Sequence, residues 1–333
     1  MPENKNLKPT TFPMPIRFGE DPKTSFQNNI KAINVKLVQA PTMEELRKYV
    51  PDFATATWED KAIHHFDHEW QQTKEEEFKL DKLIWMAFNR KILPSVLETI
   101  RLNFLFENVS YQDLTHIIRY RTATFSVECS GDKWWTDKDA VVPTSIENSP
   151  ELYERFVNLV KECKQLYVDM LDTKKISLLD ARYILPRCME TYCWCSISLN
   201  DVLNLINQRI DKQIQPDSDN VLAYRIIQAL IRQYPLLSFL FDLHKPAAFY
   251  VATARTGRST NLFVPDEDSD IYEWNREDYV YQTTRENVNG TDEELAKENY
   301  PFFEILLEVD NEIAETRRKC IEKYGEGFLK LDY

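Results

Sequence analysis

Apolar and polar positions alternate over Ile33-Asn34-Val35-Lys36-Leu37-Val38, and this period of two predicts a strand. Pro41-Thr42-Met43-Glu44-Glu45-Leu46 then predicts a helix start, with Thr42 as N-cap and Glu45 three positions on. Trp58 to Asn89 reads as largely helical: Leu80, Leu83, Ile84 and Ala87 fall on one stripe, and Pro94 is expected to close the segment. Ile100, Leu102, Phe104 and Phe106 alternate with Arg101, Asn103 and Leu105, which predicts a half-buried strand. Ser110, followed by Asp113, is expected to cap a helix carrying Leu114, Ile117 and Ile118 that runs into Arg119-Tyr120-Arg121. Trp134 to Pro150 reads as a loop and Glu151 to about Leu171 as a long helix. Ser177 to Asp180 opens a short helix that Pro186 ends. Cys193, Cys195, Ile197 and Leu199 alternate with Tyr192, Trp194, Ser196 and Ser198 as another strand. Helices follow at about 201–212 and 218–233, and a last one at about 301–324 stops at Gly325.

A strand followed at once by a helix suggests a mixed fold. Residues 1–32 lack periodicity and read as an arm, residues 241–300 are polar and aromatic with weak periodicity, and neither an internal repeat nor a low-complexity tract occurs.

A chain of 333 residues has ample length for a buried core, in two domains or one enlarged one. No apolar run approaches the ~18 to 20 residues of a membrane span. The opening MPENKNLKPTTFPMPIRFGED carries prolines and polar residues where a signal peptide needs a basic start and an apolar stretch, so the expected location is cytoplasmic. Forty-one lysines and arginines against fifty-four acids give a net charge of −13, a field that repels phosphate polymers and argues against a general nucleic-acid binder. With only six glycines, neither G-x-G-x-x-G nor G-x-x-x-x-G-K-[ST] is present, so a bound nucleotide is held by side chains and helix ends. The six cysteines read as reduced thiols.

Three groups of residues carry candidate chemistry. Arg119 and Arg121 flank one residue at a helix end, where two guanidiniums can hold phosphates from two directions; Thr124, Ser126, Glu128, Ser130 and Gly131 follow with donors and an acceptor suited to a base or sugar. A bare R-x-R is equally a solvated basic turn. Asp180-Ala181-Arg182-Tyr183-Ile184-Leu185-Pro186 is the second group. In the third, Asn204, Gln208 and Asp211 share a helix face, while Arg209 shares a stripe with Val202 and Ile206. An arginine on an apolar stripe needs a partner, either a carboxylate such as Asp180 or an anionic ligand. His64 and His68 stand one helical turn apart, but no third ligand is evident and H-E-x-x-H is absent, so no metal site is assigned. Cys193 and Cys195 point to one strand face and read as small core residues rather than metal ligands. Trp134-Trp135 either stacks on a ring or anchors a loop.

From Val35 to about Pro235 the sequence resembles the flavin-dependent thymidylate synthases. Their signature R-H-R-x-x-S-x-N-E-x-S-x-R-Y is met by R-Y-R-T-A-T-F-S-V-E-C-S-G-D-K-W with one extra residue, most simply Val127. A-R-x-x-L-P appears as Ala181 to Pro186, N-x-x-x-L-R as Asn204 to Arg209, and Ser95-Val96-Leu97-Glu98 resembles a T-P-F-E segment. The blocks stand in the family's order. Tyr120 replaces the central histidine, Thr124 a serine, Ser126 an asparagine, and Asp132-Lys133-Trp134 the closing Arg-Tyr.

The resemblance implies an α+β fold of helices on an antiparallel sheet, with a core over 33–240 and a C-terminal extension over 241–333 that pads a tetramer surface or lids the site. The N-terminal arm over 1–32 is expected to pad that surface or lid the site in the same way. The resemblance implies FAD held by Ser95, Arg119, Tyr120, Arg121 and Asn204. It implies a pyrimidine deoxynucleotide held by His116, Glu128, Ser130, Gly131, Arg182 and Arg209, with Ser130 a binding residue and not a covalent catalyst. Arg209 would also be catalytic: C5 becomes nucleophilic as negative charge develops on the ring carbonyls, and a fixed guanidinium there lowers the barrier. The reaction expected is methylation of dUMP to dTMP with NADPH and methylenetetrahydrofolate as co-substrates, by a homotetramer whose sites are shared between subunits. A different base or one-carbon product, such as dCMP methylation or hydroxymethylation, and a catalytically inactive homologue are the alternatives.

Overall fold

In this computed structural model, residues 29–56, 59–60, 64, 73–130, 135, 138–147, 149–210, 215–243 and 301–330 are described. Strands β1 (Asn34–Gln39), β2 (Arg101–Ser110), β3 (Thr124–Val127) and β4 (Glu190–Ser198) form an antiparallel sheet in the order β1-β2-β4-β3. Its inner face follows the expected alternation. Leu102, Phe104 and Phe106 are buried opposite Ile197, Cys195 and Cys193 respectively. A slip of one residue would turn both phenyl rings to solvent, so burial fixes this register. The pairing shifts between Phe106 and Val109, where Asn108 adopts a φ of 58°, a conformation asparagine tolerates better than most residues. The strand β3 has no counterpart in the apolar pattern: three of its four residues are exposed, and its place comes from pairing with β4.

Helices α1 (Met43–Thr55) and α2 (Lys74–Phe88) begin with capping boxes, Thr42 with Glu45 and Thr73 with Glu76. The segment expected to be helical from Trp58 is helical from Lys74; Glu59, Asp60 and His64 are not, and its other residues before Thr73 lie outside the described residues. Pro94 does not close α2. The helix ends at Phe88, Arg90 takes a positive φ of 54°, and Pro94 opens a 3-10 turn over Pro94–Thr99. Helix α3 (Tyr111–Ile117) follows β2 directly; Ile118, expected on its apolar face, caps it and is exposed. A short helical turn, α4 (Thr144–Glu147), interrupts the expected loop. Helices α5 (Pro150–Asp172) and α6 (Leu178–Ala181) pack with Trp135 and Met189 into a small second core. Leu199 is not the last strand residue but the first of α7 (Leu199–Arg209), because the Ser198 hydroxyl accepts the Asp201 N–H and turns the chain into a helix.

Helix α8 (Asp217–Gln233) is buried on most of its surface, and α9 (Pro301–Tyr324) lies along it through Arg225–Glu308 at 2.8 Å and Arg232–Glu312 at 2.5 Å. Leu306, Val309 and Ile313 of α9 join the same core as the sheet, so this part of the C-terminal extension closes the core of its own chain. Gly325, at a φ of 79°, ends α9 where a side chain would be strained, and α10 (Glu326–Leu329) stacks Phe328 on Tyr324 at 4.4 Å. Among the described residues no helix is long and apolar enough to cross a membrane.

The junction of α3 with α8 holds two buried carboxylates. Asp113 accepts from the Ser110 backbone and hydroxyl at 2.8 and 2.7 Å and from the Ser218 hydroxyl at 2.6 Å. Burial, with Asp219 nearby, still pushes its carboxyl up to about 6.

Two outcomes follow for stability. Leu306→Ala should lower unfolding free energy by about 2–5 kcal/mol, read as a shifted denaturant midpoint, because it empties core volume; a helix merely resting on the surface would give under ~0.5 kcal/mol. Between about pH 4 and 6 the folded chain keeps a proton on Asp113 that the unfolded chain has released, so stability falls as pH rises through that window. Asp113→Asn should therefore gain stability relative to the parent across it, levelling above pH 6 at up to ~3 kcal/mol. A difference that stays flat with pH would show that Asp113 does not carry this effect.

Candidate active site

The turn after α3 is tied down on three sides. The Arg101 guanidinium donates to the carbonyls of Thr122 and Ser196 at 3.3 and 3.1 Å, the Thr122 hydroxyl donates to Asp201, and the Tyr120 hydroxyl donates to Gln208 Oε1 at 2.9 Å. Burial raises the Tyr120 hydroxyl well above the usual phenol range. Arg119 and Arg121 project from this anchored turn, exposed, and neither is ion-paired among the described residues. A rigid base with two unneutralised guanidiniums is a donor set suited to a diphosphate.

Ser130 and Arg182, expected on one ligand, do line one cavity of about 310 Å³. Tyr111 and Thr115 of α3 form one wall, while Tyr183 and Arg187 flank Leu185-Pro186 on the other. The size matches that of a small-molecule site. Tyr111 is held in place by its hydroxyl, which donates to the Glu128 carbonyl at 3.1 Å, and by its ring against buried Trp135 at 5.2 Å. Trp135 thus anchors the loop; Trp134 and Gly131 lie outside the described residues. Glu128 does not line this cavity. Its carboxylate is buried, 2.9 Å from Lys138 Nζ and 3.3 Å from the Thr191 hydroxyl that donates to it.

Arg209 is buried at the end of α7. Its partner is not Asp180, which caps its own helix through Ser177, but Asp219 on α8, with Oδ2 at 3.1 Å. Gln215 accepts a second bond at 2.7 Å, and the Arg209 Nε is buried without a hydrogen-bond partner. The same Asp219 oxygen lies 2.7 Å from His116 Nδ1. One buried carboxylate thus holds two of the expected nucleotide-binding residues, from α3 and from α7.

Ser95 lies in the Pro94–Thr99 turn, which packs on α7, the helix that carries Asn204. Ser95 is exposed, and Asn204 Oδ1 accepts from Arg90 at 2.9 Å. Neither lines the cavity of Ser130 and Arg182. Sequence reasoning missed Asp219 and Arg187. The first stands among helix-opening acids in Pro216-Asp217-Ser218-Asp219 and looks like an ordinary first-turn residue; the second follows Leu185-Pro186 directly and could have been noticed as a cation at the edge of that block. Cys193 and Cys195 are buried on the inner face of β4, as expected, and burial pushes their thiols up to about 11 and about 12. His64 pairs with Asp52 at 2.6 Å, and no group of three metal-ligating side chains occurs among the described residues. His68 lies outside them.

A flavin-dependent thymidylate synthase from Thermococcus onnurineus is 25% identical over 172 residues, 48% of this chain and 67% of its own length. The enzyme of the same name from Pyrococcus abyssi is 24% identical over 190 residues, 55% of this chain and 75% of its own. Among solved structures, flavin dependent thymidylate synthase ThyX from Helicobacter pylori, complexed with FAD and dUMP, aligns at a TM-score of 0.47 and 18% identity, covering 61% of this chain and 97% of that one. Residues 40–236, more than half of the chain, match the family described as thymidylate synthase complementing protein. The chain belongs to that family, the flavin-dependent thymidylate synthases that its sequence resembles.

Proposed function

We propose that this chain is a flavin-dependent methyltransferase that converts dUMP to dTMP, with FAD as cofactor and NADPH and methylenetetrahydrofolate as co-substrates. The observation that carries the reading is the convergence of Ser130 and Arg182 on one cavity, together with a guanidinium, Arg209, fixed from behind by a buried carboxylate. The flavin, when bound, supplies the redox chemistry that no side chain here provides.

The chain's own residues bind and polarise. Ser130 and Arg182 hold the nucleotide at the cavity, and Arg119 and Arg121 suit the diphosphate of FAD. Arg209 meets the negative charge that develops on the pyrimidine carbonyls; because Asp219 and Gln215 already fix it, little reorganisation is needed when that charge appears. His116, held by the same carboxylate, faces the nucleotide beside it. In this reading Ser95, Tyr120 and Asn204 touch the flavin, and Glu128 and Gly131 complete the nucleotide pocket. Within one chain Ser95, Arg119 and Arg121 do not line the cavity of Ser130, which supports a site completed between subunits of a homotetramer. The protein would work in the cytoplasm, away from membranes and nucleic-acid polymers.

The purified protein should be yellow, bleach on addition of NADPH, and turn dUMP over to a product with the mass of dTMP; a hydroxymethylated product, or turnover of dCMP instead, would reassign the reaction. Arg209→Ala should keep its flavin but lose nucleotide affinity and on the order of 100-fold or more in turnover, as expected for removing one preorganised donor. Arg119→Ala should instead release the flavin. Unchanged turnover in the first variant, or unchanged flavin content in the second, would contradict the assigned role.

A further inference from the structure

We infer that Arg187, together with Arg182 and Ser130, forms the recognition site for the phosphomonoester of the bound nucleotide. The inference rests on the reading of this cavity as the nucleotide site and assigns Arg187, which the sequence blocks leave out, a direct contact with the ligand.

Charge comes first. The chain carries −13 overall, yet among the described residues the lining of this cavity includes two guanidiniums and no carboxylate. Several other arginines are neutralised, as in Arg47–Asp81, Arg209–Asp219 and Arg225–Glu308, whereas neither Arg182 nor Arg187 is ion-paired among the described residues. A concave site whose sign opposes that of the whole protein concentrates small anions.

Geometry agrees. Arg182 opens a 3-10 turn over Arg182–Ile184, and Pro186 opens a second turn in which its carbonyl accepts from the Met189 N–H at 3.2 Å; both guanidiniums border the same cavity from either side of Leu185-Pro186. The base of Arg187 is fixed to α3: the Gln112 N–H donates to the Arg187 carbonyl at 3.1 Å, and the Tyr111 N–H donates to the Met189 carbonyl at 3.1 Å. Two planar forks on an anchored backbone, with the Ser130 hydroxyl in the same cavity, suit a tetrahedral dianion far better than a neutral sugar.

Calorimetry on the flavin-loaded full chain with dUMP, deoxyuridine and inorganic phosphate tests this. The parent should bind dUMP more tightly than deoxyuridine. Arg187→Gln should lose on the order of 10- to 100-fold in dUMP affinity, the scale of one charge-assisted contact, with deoxyuridine affinity and melting temperature unchanged. Arg187→Lys, which keeps the charge but not the fork, should fall between them, and phosphate should compete with dUMP on the parent more strongly than on Arg187→Gln. Unchanged dUMP affinity in Arg187→Gln overturns the assignment of Arg187 while leaving the nucleotide reading intact. A parent that binds neither dUMP nor deoxyuridine overturns the nucleotide reading; direct phosphate binding then decides the anion site, upheld if Arg187→Gln weakens it and lost if both proteins bind phosphate equally.

Discussion

The buried carboxylate of Asp219 is the constraint around which the rest is arranged. An ionised carboxylate taken out of water costs several kcal/mol unless it is paired, and the same holds for the guanidinium of Arg209. Each supplies what the other lacks, at 3.1 Å, and His116 shares the same oxygen at 2.7 Å. Three helices are fixed relative to one another as a result: α8 carries the acid, α7 the arginine and α3 the histidine. The bond from Asn220 Nδ2 to the Arg209 carbonyl, at 2.8 Å, locks the end of α7 further. Breaking such a pair from one side leaves an uncompensated buried charge, so the geometry at Arg209 is enforced by the folding of the core and not by the ligand.

The chemistry of the remaining side chains fits this division of labour. Thiols are the most nucleophilic groups in the chain, but burial pushes Cys188 and Cys193 up to about 11 and Cys195 up to about 12, so all three stay protonated near neutral pH. In β4, Cys193 and Cys195 serve as small core residues opposite Phe106 and Phe104.

Local physics made much of this legible from sequence. The boxes at Thr42-Glu45 and Ser110-Asp113 are decided within four residues, and the alternation in β2 and β4 by burial on one face, so these elements stand where the pattern places them. Ser130 and Arg182 could be paired because both belong to recognisable blocks. The partner of Arg209 could not: Asp219 stands on the next helix, and in sequence it is one of several acids opening that helix. Likewise β3 is hydroxyl-rich and mostly exposed, and only the edge of β4 makes it a strand. The misreadings at Pro94 and Leu199 share one cause. Each sits where a positive φ or a hydroxyl cap ends one element just before the hydrophobic pattern would.

Helix α7 links the two parts of the site. At its start, Asp201 accepts from Thr122 and from its own N-cap Ser198, which fixes the turn bearing Arg119 and Arg121. At its end, Gln208 accepts the Tyr120 hydroxyl, and the next and last residue is Arg209 itself. The turn bearing the exposed arginines is therefore tied to both ends of an 11-residue helix, about 16 Å long at 1.5 Å per residue, and the buried arginine stands at one of those ends. A displacement of α7 against α8 would move both together, which ties Arg209 to Arg119 and Arg121. Because Asp219 resists such a displacement, the fold maintains the spacing between the two groups before either ligand arrives.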